Sequence, residues 1–188
     1  MSLVAFLDAS VLYPATRRSV LMYLAAADVF RPLWSDAVNR EWMQALARDR
    51  PDLSATAVAR TKALMEAHVD HPLVTGYEGL IPSLTLPDPN DGHVLAAAIH
   101  GEASMIVTHN LKHFPASALA PHKVAAVHPD DFVLRLIGAD PGNVVAALAT
   151  DRARLKNPSM SAAEYLTSLE RAGLFHTAAA LKAFKDAL

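Results

Sequence analysis

The sequence predicts an α/β fold: three layers, with a central parallel sheet covered by helices on both faces, followed by an all-helical C-terminal extension. Three observations lead there. Apolar runs at residues 3–7 and 104–108 have the unbroken texture of strands buried on both faces. Segments of helical periodicity separate the candidate strands, as parallel strands joined by crossovers require. Beyond Ile137 strand texture stops and only helical patterns remain. With 188 residues, 52% of them hydrophobic, the chain is long enough to bury a sizeable core. We divide it into an α/β body, residues 1–138, and a helical extension, residues 139–188.

Taken in order, residues 3–7 form the first strand and end at Asp8, where open α/β sheets hold ligands. Residues 9–14 turn the chain, and residues 17–29 form a helix with Val20, Leu21, Leu24 and Ala27 inward. Residues 30–34 are a short second strand. Ser35 caps the next helix, on which Val38, Glu41, Trp42, Ala45 and Leu46 share a face, so Glu41 is an acid on an apolar stripe. A helix follows at 54–68, carrying Val58, Leu64 and Met65. Residues 72–87 are irregular, with a short strand at 73–75 and a helical turn at 77–80.

Asp88 before Pro89 is a helix N-cap with proline at the first helical position, and Asp91 falls three residues later, facing the free amides of the first turn. That helix runs to Gly101. Asp91, Val94, Leu95, Ala98 and Ile99 follow the spacing of an inward stripe, which puts the Asp91 carboxylate at its rim. The strand at 104–108 delivers Thr108, His109 and Asn110 at its carboxyl end. A short strand at 124–127 and a helix at 130–137 complete the body. In the extension, Asp140-Pro141 opens a helix, Ser161 and Glu164 form a capping box, and Gly173 ends that helix before a last one from Phe175.

In this arrangement Asp8, Glu41, Asp91 and Asn110 converge at one edge of the sheet. Close carboxylates repel, and burying an unpaired charge is costly, so such a cluster makes sense around a divalent cation. Oxygen ligands select a hard ion, Mg²⁺ or Mn²⁺, which leaves positions for phosphate oxygens. With no cysteine in the chain, thiolate metal sites, disulfides and cysteine nucleophiles are excluded. His109 and His113 are spaced like zinc ligands, but the absence of cysteine and the intervening Asn110 argue against zinc. The net charge of −2 means that any nucleic acid is met by local basic clusters, of which Arg17-Arg18 lies nearest the Asp8 turn. No apolar run approaches a membrane span, residues 3–7 stop at Asp8 without a basic leader, and a cytoplasmic protein is the expectation.

Leu7-Asp8-Ala9-Ser10, Glu41 on its helix, Asp91-Gly92-His93-Val94, and Thr108-His109-Asn110-Leu111-Lys112 together resemble the PIN-domain nucleases, most closely the toxin subunits of bacterial VapBC toxin–antitoxin pairs. The resemblance covers residues 3–135. It implies a PIN-like fold in which Asp8, Glu41 and Asp91 match the acidic metal-site positions and Asn110 matches a fourth that is Asp or Asn. It also implies Mg²⁺-dependent endoribonuclease cleavage of structured RNA, tRNA or rRNA, with an antitoxin partner and a homodimer. Ser10, Thr108 and Asp88 then support the site from behind, and Arg17, Arg18, His109 and Lys112 are candidates to touch RNA. Because Asn110 is neutral, one or two metal ions remain open. Ser10 separates the chain from haloacid dehalogenase phosphotransferases, which need a second aspartate there. The alternative is a catalytically weak PIN-fold RNA-binding or scaffold module that docks a partner through its helical extension.

Overall fold

Four parallel strands, β1 (Val4–Leu7), β2 (Arg31–Leu33), β3 (Met105–Val107) and β4 (Ala125–Val127), form one sheet in the order β2-β1-β3-β4. The computed structural model describes residues 3–156 and 158–188. Phe6 pairs with Leu33 on one side and with Ile106 on the other, which makes β1 central. The chain leaves β1 toward β2 and returns on the opposite side as β3. Strand order therefore reverses between β1 and β3, and the loops that follow them part to leave a crevice at their carboxyl ends. Asp8 and Thr108 stand there. Their amides still bond the neighbouring strands, Asp8 to the Val107 carbonyl at 3.1 Å and Thr108 to that of Val127 at 3.0 Å, so both side chains leave from rigid backbone.

The body carries α1 (Ala9–Leu12), α2 (Ala15–Ala26), α3 (Asp36–Asp49), α4 (Ala55–His68), α5 (Gly92–His100), α6 (Ala116–Leu119) and α7 (Pro129–Ala139). α5 packs on β1 and β3, and the right-handed crossovers that parallel strands favour put the helices joining β1 to β2 on the opposite face of the sheet. This is the three-layer α/β/α arrangement that the sequence predicts. Ala96 and Ala97 are buried in α5 as completely as the expected Val94, Leu95 and Ala98, because their small side chains let it lie close between the sheet and its other neighbours. A Cβ on Gly101, just past this helix, would lie 2.7 Å from Leu33 Cδ1 and 3.0 Å from Val74 Cγ2, so any larger residue there must push these buried side chains aside.

The structure differs from the sequence reading at several places. Residues 9–14 contain a turn of helix, α1. The segment after Asp88 begins as a 3₁₀ turn, Pro89–Asp91, and becomes α-helical only at Gly92, while the Asp88 carboxylate caps the Asn90 amide at 3.0 Å. The strand expected at 73–75 is a single parallel bridge, Leu73 to Trp34, since Gly76 at φ +78° turns the chain away. The helical turn expected at 77–80 is a 3₁₀ helix, Glu78–Ser83, containing Pro82, which lacks the amide that a longer α-helix would use. Leu64 is 55% exposed, outside the buried face of α4 formed by Val58 and Met65.

Three further helices follow, α8 (Pro141–Ala153), α9 (Ala162–Arg171) and α10 (Phe175–Leu181). Asp140 caps the first, the Ser161–Glu164 capping box opens the second, and Gly173 at φ +80° stops it. α8 packs on α2 and α10 on α7, so Val144, Leu148, Leu169 and Leu181 join the same core as Phe6 and Phe132. Buried Asp151 ties the extension to the body: it accepts hydrogen bonds from Ser19 on α2, from the Tyr165 hydroxyl at 2.8 Å and from Arg154 at 2.9 Å. A second buried acid, Asp130, accepts the backbone amides of His176 and Thr177 at 2.7 and 2.8 Å, fastening α10 to α7. No helix among the described residues is long and apolar enough to cross a membrane.

Candidate active site

Asp8 is 5% exposed and held by two hydroxyls. Ser10 Oγ donates to its Oδ2 at 2.6 Å and Thr108 Oγ1 to the same oxygen at 2.7 Å. Each hydroxyl also accepts an amide from the loop after β3, Ser10 from His109 at 3.1 Å and Thr108 from Asn110 at 3.0 Å. These four bonds lock the strand ends together and fix the carboxylate plane. Among the described residues nothing bonds Asp8 Oδ1, which is not enclosed either, so this is the oxygen that Asp8 offers outward.

Asp91 stands at the head of α5, where the free amides of the first turn favour an anion. Its Oδ2 lies 2.7 Å from His113 Nδ1. Burial raises the Asp91 carboxyl above its ordinary value; the His113 hydrogen bond works against this, and the negative charges of Asp8 and Asp88 add to it. Asp8 and Asp91 are thus within electrostatic reach of each other. Asp88, Asp91 and His113 each present a ligand atom within 4.8 Å of the others.

Glu41 occupies the rim instead of the buried stripe expected of it, with its side chain 47% exposed and its Oε1 2.8 Å from His93 Nε2. Its neighbour Trp42 takes the inward position and donates through Nε1 to Asn39 at 3.0 Å. A crevice of about 530 Å³ opens beside Asp8, lined by Ser10, Tyr13, Arg17, Glu41, Trp42 and His109 among others. Asp8 and Asp91 feel each other's charge, and Glu41 meets α5 through His93, but the three carboxylates do not form a single tight triad among the described residues. Among the described residues that triad is Asp88, Asp91 and His113. Asn110 is exposed and joins the site through its backbone amide.

The basic residues separate clearly. Arg18 turns inward, donating to the Leu12 and Tyr13 carbonyls at 2.7 and 3.1 Å, with its guanidinium 5.3 Å from the Trp42 ring centre. Arg17 faces the crevice, and its Nε and Nη1 are enclosed without a hydrogen-bond partner. Lys112 is exposed. His109 Nδ1 lies 3.0 Å from His128 Nε2, and burial, helped by Arg17 and His128, lowers the His109 imidazole to about 4. Sequence reasoning missed the roles of His93, His113 and His128, each of which orders another site residue. The only signal was an unusual number of histidines, nine in 188 residues, without a spacing that pairs them.

A PIN-domain family model matches residues 4–112, and a model described as the VapC50 C-terminal domain matches residues 129–183, beginning at the head of α7. Among curated proteins, "Putative ribonuclease VapC50" of Mycobacterium tuberculosis (strain ATCC 25618 / H37Rv) is 52% identical over 59 residues, which is 31% of this chain and 34% of that protein. The match thus spans about a third of the curated relative's length. No solved structure matches the chain.

Proposed function

This chain belongs to the PIN-domain family, and from that premise we propose that it is a divalent-metal-dependent endoribonuclease, the toxin of a toxin–antitoxin pair. The observation that carries the reading is Asp8: a carboxylate at the strand-order reversal, oriented by Ser10 and Thr108, with one oxygen left open. The name of the VapC50 relative supports the ribonuclease assignment. The proposed substrate is structured RNA, tRNA or rRNA, in the cytoplasm. The proposed partner is an antitoxin whose peptide occupies the crevice beside Asp8.

The donor set suits a hard cation. Asp8, Asp91 and Glu41 supply oxygens, and the Asp91 carboxyl, raised chiefly by burial, also feels the negative charges of Asp8 and Asp88, which a bound cation would offset. We assign Asp8, Asp91 and Glu41 as the residues that would hold Mg²⁺ or Mn²⁺, with Asp88 beside them. When bound, such an ion makes water a nucleophile near neutral pH and offsets charge developing on the phosphate. The protein's own contributions are positional. Ser10 and Thr108 aim Asp8, His113 orients Asp91, His93 restrains Glu41, and the Asn110 amide sets the loop that closes the site. Arg17, His109 and Lys112 are the side chains assigned to the RNA backbone.

RNA cleavage tests this directly. Purified protein incubated with bulk tRNA in Mg²⁺ should produce discrete fragments, and EDTA should stop the reaction. Fragmentation that persists unchanged in EDTA overturns the metal-dependent reading.

A further inference from the structure

The crevice contains hydrogen-bond donors with no acceptor, and a chain of bonds explains why one of them is a donor. His128 caps α7, and its Nδ1 accepts the Asp130 amide at 3.3 Å. An amide can only donate, so Nδ1 carries no proton, and the proton of the His128 ring sits on Nε2. Nε2 lies 3.0 Å from His109 Nδ1, the two rings meeting edge to face at 83°. His128 is therefore the donor and His109 Nδ1 the acceptor. The His109 proton is consequently forced onto Nε2, which is enclosed and unpartnered.

Arg17 repeats the pattern from the other wall, since its Nε and Nη1 are likewise enclosed and unpartnered. Buried donors left unpaired are costly and rare. Both side chains line one crevice, one of them permanently cationic, and side-chain rotation that turns these three covered donors toward it makes a seat for an anionic oxygen. The backbone around it is fixed, since the His109 amide is pinned to Ser10 and His128 is pinned through Asp130, whose carboxylate holds the start of α10, so only side-chain rotation is needed to uncover the donors.

We propose that Arg17 and His109 form a phosphate-oxygen subsite beside the acidic centre, and that His128 is a positioning residue that fixes His109 as a donor toward it. This rests on the ribonuclease reading for the identity of the ligand, a phosphodiester of RNA, but not for the existence of the seat. Neutral donor geometry in His109 also keeps the subsite from depending on a histidine charge, leaving Arg17 as the single cation that recognises the anion.

Two measurements on the full-length, metal-free protein test it. Long-range ¹⁵N–¹H spectra at neutral pH should show His109 protonated on Nε2 in the wild type and as a tautomer mixture in His128→Phe, with His128→Gln, which keeps a donor, restoring the single form. A His109 proton on Nδ1 in the wild type, or no change in His128→Phe, overturns the positioning role. In EDTA, a fluorescent RNA oligonucleotide should bind Arg17→Ala and His109→Phe about tenfold more weakly than wild type, and His128→Phe by a smaller factor rescued by Gln. Equal affinity in Arg17→Ala and His109→Phe overturns the subsite. Inorganic phosphate separates the two readings: a His109 shift with phosphate in a protein that ignores RNA keeps the seat and removes the RNA assignment. No His109 response to either probe removes the seat.

Discussion

Thr108 Oγ1 donates to Asp8 Oδ2 across 2.7 Å, joining the carboxyl ends of β3 and β1 from positions 100 residues apart in the chain. Both residues are buried, so the bond forms in a low-dielectric setting and its acceptor is a carboxylate. Thr108→Val removes the donor at nearly constant volume and also leaves the Asn110 amide without its acceptor. Loss of a buried bond to a charged group should cost about 2 kcal/mol. Urea unfolding checks the value. Thr108→Ser should recover most of it, and a stability change below about 0.5 kcal/mol would show that the bond does not hold the strand ends.

The lowered His109 imidazole predicts a pH dependence. Its folded value of about 4 lies below the ordinary 6.5, so between these limits the unfolded chain binds a proton that the folded chain does not. Stability contributed by neutral His109 is complete above pH 6.5 and declines as the pH falls toward 4. His109→Phe should flatten this segment of the stability profile, measured by thermal unfolding in steps of pH.

Asp91 predicts the opposite sign. Its carboxyl is raised chiefly by burial, so ionisation opposes folding, and stability present at low pH is lost as the pH rises through the folded value. In EDTA at neutral pH, Asp91→Asn should therefore melt above wild type, with the difference closing on acidification. Added Mn²⁺ should reverse the ranking by stabilising wild type more than the variant.

Asp151 predicts that the extension is not a detachable arm. At 2% exposure it holds Ser19, Arg154 and the Tyr165 hydroxyl, the last raised far above its ordinary value by burial beside this carboxylate. Asp151→Ala should cost about 3 kcal/mol, and Tyr165→Phe about 1 kcal/mol, in urea unfolding. Truncation at residue 139 uncovers the α2 and α7 faces on which α8 and α10 sit, and should yield aggregating protein.

How far the sequence revealed this arrangement follows from the range of each interaction. The four strands, the Asp88-Pro89 helix start and the Ser161–Glu164 box are local signals, set by apolar runs and capping chemistry over a few residues. Asp8 was visible because an apolar strand ended in an acid. Glu41 was misplaced because its helix stripe spans both Trp42 and the rim, and only tertiary packing decides that Trp42 takes the interior. The histidine partnerships could not be read at all. His113 reaches Asp91 across 22 positions and His128 reaches His109 across 19, distances at which pairing depends on how the β3 loop folds back.

The central claim is that the acidic edge at Asp8 performs RNA hydrolysis, and single-turnover cleavage by Asp8→Asn tests it most directly. The substitution keeps the shape and the acceptor oxygen for Ser10 and Thr108, so circular dichroism should match wild type while the cleavage rate in Mg²⁺ falls about a hundredfold or more. A folded Asp8→Asn protein that cleaves RNA at the wild-type rate would contradict the account.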